Sequence, residues 1–180
     1  MTGSVGKIYS EAIFELAAEQ GCGEQVFKEL TSLRSIWMEN PGLAKLLSAP
    51  TISLKEKLSV VEKAFKGRVS ETVYNFLCVI TEKGRASALT EIADSYKEKW
   101  YEKENIAEVT VTTCAPLSDS MRKKLVDKLE SVYKKKVVLE EKTDASLIGG
   151  IVVNYGNTML DGSVRNRLDS IQKQIKGIIA

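Results

Sequence analysis

Residues 144–168 read DASLIGGIVVNYGNTMLDGSVRNRL, and this stretch decides the fold. A short apolar run, Leu147-Ile148, is broken by Gly149-Gly150 and resumes as Ile151-Val152-Val153. The β-branched residues favour extended backbone because their χ1 freedom is already restricted. Tyr155-Gly156-Asn157 is turn chemistry, since Gly, and less easily Asn, accepts the positive φ of a tight hairpin. Thr158-Met159-Leu160 reads as a brief return strand. Asp161-Gly162-Ser163 then offers side-chain oxygens to the free N–H groups of a helix's first turn. The stretch is a hairpin feeding a helix, with no reaction centre in it.

Upstream, Val109, Val111 and Thr113 alternate with Glu108, Thr110 and Thr112, the two-residue repeat of a half-buried strand. Pro116 ends it, Ser118 caps a helix, and Met121, Leu125, Leu129 and Val132 are expected to face inward. Val137-Val138-Leu139 is a second strand. The last helix carries Val164, Leu168, Ile171, Ile175 and Ile178 as one stripe.

Before Asn105 the period is helical throughout. Val5, Ile8, Tyr9, Ala12 and Leu16 form the expected inner face of a first helix, with Ile13 at its margin and Phe14 on the other side. Val26, Leu30, Leu33 and Trp37 mark a second helix, which ends at Asn40-Pro41-Gly42. A short third runs from Leu43 to Ser48. Ser53-Leu54-Lys55-Glu56 is a capping-box pattern that opens a fourth, with Leu54, Leu58, Val61 and Phe65 on one face. The fifth has Val73, Phe76, Leu77 and Ile80, leaving Cys78 and Val79 off the stripe; the sixth has Leu89, Ile92, Tyr96 and Trp100. The reading is α+β: an N-terminal six-helix bundle over 1–104, then a small β-α-β-β-α domain over 105–180.

The bulk numbers exclude more than they select. Of the 180 residues, 43% are hydrophobic and 28% charged, enough to build ordinary globular cores. The net charge is only +2, which gives generic nucleic-acid binding little electrostatic support. The absence of histidine removes Ser-His and Cys-His nucleophiles and the commonest metal ligand. Cys22, Cys78 and Cys114 are scattered and show no CxxC spacing, so neither a zinc site nor a disulfide framework is expected. The opening MTGSVGKIYSEAIFELA reads as helix rather than a signal or transit peptide, and any membrane association is expected to come through a partner.

Each candidate for chemistry has a plainer reading. Gly149-Gly150 lacks a phosphate-loop context and is expected to mark a bulge or close backbone approach. Asp144, Asp161, Glu140 and Glu141 read as turn, cap and solvated-edge residues rather than a catalytic carboxylate pair. Lys134, Lys135 and Lys136, with Arg122, Lys123, Lys124 and Lys128, make the C-terminal part basic, but no aromatic platform accompanies them. Arg165 and Arg167 beside Asp161 are suited either to recognition or to surface ion pairs. Ile13, Phe14 and Val79 exceed what one core face requires. Either their helices are buried on two sides, or a groove between them receives an amphipathic helix from another protein. The residues alone leave both open.

Several of these stretches resemble one family. IYSEAIFELA, from Ile8, is similar to a Tyr-Ala-x-Ala-Leu-Phe-x-x-Ala pattern, with Ser10 in place of the usual Ala. Glu82-Lys83-Gly84-Arg85 with Leu89, Ala115-Pro116-Leu117-Ser118, Leu147 to Ile151 and Asp161 to Leu168 fit as well; Asn166 stands where Gly is frequent. Together they resemble the delta-subunit family of bacterial F-type ATP synthases, counterparts of the mitochondrial oligomycin-sensitivity-conferring protein. The resemblance implies a non-catalytic stator subunit without cofactor or metal, on the cytoplasmic face of the plasma membrane as a peripheral part of the enzyme. It implies that the N-terminal domain takes up N-terminal helices of alpha subunits through Tyr9, Ala12, Ile13, Phe76 and Val79. The C-terminal domain is implied to hold the ends of b-type peripheral-stalk subunits. The alternative from the residues is a free-standing RNA-binding or regulatory protein using the basic C-terminal domain.

Overall fold

The computed structural model describes residues 3–156 and 158–179, with side chains from 5 to 156 and from 158 to 171. Among these residues there are eight α-helices and one four-stranded mixed sheet, an α+β architecture. The chain divides into two compact units between Trp100 and Tyr101.

The first unit holds α1 (Gly3–Glu19), α2 (Gly23–Glu39), α3 (Pro41–Ser48), α4 (Leu54–Phe65), α5 (Glu71–Glu82) and most of α6 (Leu89–Lys103), which follows a 3-10 turn at Ala86–Ala88. The α2 stripe is buried as expected: Val26, Leu30, Leu33 and Trp37 meet Val61 and Phe65 of α4, Leu77 and Ile80 of α5, and Leu89, Ile92 and Tyr96 of α6 in one core. Each such aliphatic side chain taken fully out of water stabilises the fold by about 1.5–3 kcal/mol. Two ring groups carried inward donate to backbone carbonyls. The Trp37 indole N–H donates to the Ala86 carbonyl at 2.9 Å, and the Tyr96 hydroxyl donates to the Gly23 carbonyl at 3.1 Å. Glu29 of α2 accepts from both the backbone N–H and the hydroxyl of Ser70, the residue that caps α5. The capping box at Ser53 and Glu56 is formed in full.

Two helices turn a different face inward from the one expected. In α1 the buried positions are Gly6, Ser10, Ile13 and Ala17, whereas Ile8 and Leu16 are exposed and Tyr9 is only half-buried. Small residues allow close approach: a Cβ on Gly6 would lie 3.1 Å from the Glu91 side chain of α6. Phe14, off the expected stripe, packs edge-on against Tyr96 with ring centroids 5.4 Å apart. In α4, Leu54 is exposed and Lys57 joins Val61 and Phe65 inside; Leu54 sits at the first helical position, before the core-facing turns begin.

The second unit is built on β1 (Ile106–Thr113), α7 (Asp119–Tyr133), β2 (Lys136–Thr143), β3 (Ile151–Tyr155), β4 (Thr158–Asp161) and α8 (Val164–Ile179). The sheet order is β2-β1-β3-β4. The β1 and β2 strands are parallel, which requires a crossover, and α7 supplies it. Residues buried on β1 alternate as the sequence predicts, with Ala107, Val109 and Val111 facing Leu129 of α7 and Val153 of β3. The return segment at Thr158–Asp161 is a full strand, so the unit has one strand more than β-α-β-β-α, with Tyr155 paired to Thr158.

The expected inner face of α7 is also shifted. Leu125, Leu129 and Tyr133 contact the sheet, the Tyr133 ring tilted 40° against Tyr155 with centroids 4.3 Å apart, while Met121 and Val132 are exposed. Leu147-Ile148 does not extend the sheet. Asp144 accepts from the Ser146 N–H, a 3-10 turn follows at Ala145–Leu147, and Ile148 takes φ +66° with its side chain exposed. The stripe on α8 is solvent-facing over its described part, Val164, Leu168 and Ile171; the Ile175 and Ile178 side chains lie outside the described residues.

Candidate partner-binding site

The rotation of α1 creates the site. With Gly6, Ser10 and Ala17 turned inward, the larger apolar residues of α1 are left facing α5 across an open groove of about 450 Å³. Tyr9, Ala12, Ile13, Phe76 and Val79, the five positions implied by the family resemblance, all line it. Tyr9 and Phe76 meet edge-on, ring centroids 6.5 Å apart, and form part of the floor. Ile13 belongs both to the groove wall and to the core, at 2% exposure, whereas Val79 is 43% exposed on the opposite wall.

Sequence reasoning missed the other half of the lining. Leu16 had been assigned to the core, and Gln20, Glu71, Thr72 and Asn75 carried no periodic signal. The last four gather where the end of α1 meets the first turn of α5. There the Thr72 hydroxyl donates to the Gln20 side-chain carbonyl at 2.6 Å. Glu71 is the sole carboxylate among the lining residues. On another side of α1, Glu11 is bonded to Lys99 at 2.8 Å, and that bond together with the lysine's charge holds its carboxyl below the usual carboxylate range. An apolar trough with a polar end suits an amphipathic helix rather than a reaction.

The carboxylates of the second unit are structural. Asp144 and Asp161 accept from the N–H groups of Ser146 and Ser163 at 2.8 and 2.9 Å, and hydrogen bonds from those serines hold both carboxyls below the usual range. Glu141 is bound by Arg122, which also reaches Asp119. Glu140 accepts from the Thr110 hydroxyl at 2.9 Å and pairs with Lys142. Gly150, at φ +82°, makes the close backbone approach expected of the glycine pair, against Gly162. Asn166 sits in the first turn of α8, where its side chain donates to the Asp161 carbonyl and its own N–H donates to the Ser163 hydroxyl.

Comparison with known proteins extends over nearly the whole chain. Residues 5–175 match the family described as ATP synthase delta (OSCP) subunit. The chain is 33% identical over 181 residues to an ATP synthase subunit delta of Clostridioides difficile, covering 100% of both proteins. It is 32% identical over 173 residues to one of Halalkalibacterium halodurans, covering 96% of this chain and 94% of that one. Among solved structures, a chain of the Toxoplasma gondii mitochondrial ATP synthase hexamer shares the fold, with TM-score 0.73 and 22% identity over 94% of this chain and 96% of that one.

Proposed function

The chain belongs to the ATP synthase delta (OSCP) subunit family, non-catalytic components of the peripheral stalk of F-type ATP synthase, and from that premise we infer how its parts divide the work. The N-terminal six-helix bundle, residues 1–104, seats the N-terminal helix of an alpha subunit between α1 and α5. Tyr9, Ala12, Ile13, Phe76 and Val79 are the contacts. The C-terminal mixed domain, residues 105–180, holds the ends of b-type stalk subunits, and the exposed stripe of Val164, Leu168 and Ile171 on α8 supports that reading. Among the described residues no helix is long and apolar enough to cross a membrane. As a peripheral component the protein reaches the membrane through the complex, and we place it on the cytoplasmic face of a bacterial plasma membrane.

The task is mechanical. The alpha/beta head must stay fixed while the rotor turns, and a tether with two grips needs only modest affinity in each. Once one grip is made, the second forms at high effective concentration. The alternative of a free-standing RNA-binding protein has no observation in its favour, and Arg122, part of its basic surface, is already paired.

The observation that carries the groove assignment is that five residues from two separate helices line one apolar trough. Calorimetric titration of the full chain with a synthetic alpha N-terminal helix tests it. Val79→Asp is expected to weaken binding at least about tenfold, since burying a valine contributes about 1.5–3 kcal/mol, and to leave the thermal midpoint unchanged. Unchanged affinity would remove α5 from the interface.

A further inference from the structure

The groove has an electrostatic polarity as well as an apolar floor. Glu71 lines one end. Glu19 lies one helical turn beyond Leu16 and so stands at the α1 rim, Glu15 is turned further outward on the same helix, and all three are exposed. None of the three has an ion-pair partner among the described residues. The neighbouring cation Lys66 is already bonded to Glu62 at 2.6 Å. At the other end, one turn past Val79, stands Lys83. From Thr72 to Val79 along α5 is about 10 Å at 1.5 Å per residue, so the trough accommodates roughly two to three turns of a guest helix.

We propose that the occupant is an amphipathic helix whose apolar face is flanked by lysine or arginine at one end, and that Glu19 and Glu71 fix its direction in the groove by meeting that basic end. This rests on the groove's being a helix-docking site and adds the charge and orientation of the guest. The apolar floor supplies affinity without direction, because a leucine stripe fits either way round. The carboxylates break that symmetry, since like charges brought to the same end repel.

The test uses the full-length chain and three peptides: the alpha N-terminal helix and two designed helices with the same Leu/Ile face, one ending in two lysines and the other in two glutamates. The lysine peptide is expected to bind about three- to tenfold more tightly at low salt, the advantage shrinking at high salt as exposed pairs are screened. Glu19→Lys is expected to weaken the lysine peptide and strengthen the glutamate one. Because Glu71 occupies the first turn of α5, Glu71→Gln is the variant used there, with the thermal midpoint followed alongside. Equal binding of both designed peptides, insensitive to salt and to Glu19→Lys, would overturn the proposal while leaving groove docking intact. If no peptide bound, or if Val79→Asp changed nothing, the docking reading itself would fail.

Discussion

The backbones of Gly150 and Gly162 are in direct contact: a Cβ added at Gly150 would stand 2.4 Å from the Gly162 carbonyl oxygen and 2.9 Å from Ser163 Cα. The approach lets the Gly162 N–H donate to the Ile151 carbonyl at 2.9 Å and the Val164 N–H donate to the Gly149 carbonyl at 3.0 Å. Those two bonds lock the entry of α8 onto β3. Gly150→Ala would meet both the clash and the strain of φ +82°, and is expected to destabilise the second unit by about 3 kcal/mol. Gly156→Ala, at φ +55° with open space around it, is the control at about 1 kcal/mol. Hydrogen exchange of the β3 amides reads the unit by itself. Unaltered protection in Gly150→Ala would show that the contact is dispensable.

Ile13 of α1 and Val79 of α5 both line the groove but should respond to mutation differently. Ile13 is 2% exposed, so Ile13→Ala leaves a cavity and is expected to cost about 2–4 kcal/mol of stability. Val79→Ala, at an exposed site, should change stability by less than about 0.5 kcal/mol. Denaturant unfolding followed by tryptophan fluorescence separates them, both tryptophans lying in the first unit. Equal stability of the two variants would mean that Ile13 is groove wall alone.

The same pair shows where the sequence was legible and where it was not. The α2 stripe could be read directly, because Val26, Leu30, Leu33 and Trp37 recur at regular three- and four-residue steps and all four are large. Helix α1 has large apolar residues on one side and small ones on another, and periodicity weights size. Packing favoured the small side, because Gly6, Ser10 and Ala17 let α1 approach its neighbours closely, and Tyr9, Ala12 and Leu16, expected in the core, line the groove instead. The hairpin at Tyr155 was legible from local turn chemistry. The positive φ of Ile148, at the end of the Ala145–Leu147 turn, was not, since a β-branched residue gives no local signal for it. The polar end of the groove depends on how two helices cross, which no single helix's pattern contains.

Tyr96 is the clearest titration probe in the first unit. Burial, with a smaller contribution from Cys22, pushes its phenol up to about 12. A folded-state value above the ordinary tyrosine value of about 10 contributes stability that is present below pH 10 and lost as pH rises toward 12. Phenolate absorbance should therefore show Tyr96 ionising in a late step that coincides with loss of fold, apart from the rise that burial also gives Tyr74. Tyr96→Phe should remove that late step and cost about 1 kcal/mol at neutral pH, because the Gly23 carbonyl loses its donor. A late step that persists in Tyr96→Phe would assign it to another residue.

The acid limb is best read at the start of α4. Ser53 accepts from the Glu56 N–H at 3.3 Å, and Glu56 accepts from the Ser53 hydroxyl and N–H at 2.7 and 3.1 Å. The hydroxyl bond, then the backbone bond, hold the Glu56 carboxyl below its ordinary value. A depressed folded-state value contributes stability above the unfolded-state value and loses it as pH falls through the folded one. Ser53→Ala removes this contribution along with the bond to the Glu56 N–H, and is expected to cost about 1 kcal/mol at neutral pH. The gap between wild type and Ser53→Ala should then narrow in acid without closing, since the bond from the Glu56 N–H does not titrate. Other carboxylates titrate equally in both proteins and cancel in the difference. Thermal melts of the pair from neutral to acid pH measure it, with Glu56→Gln as the variant whose gap to wild type should also shrink as the carboxylate protonates. A gap constant across that range would mean that the carboxylate takes no part in holding the cap.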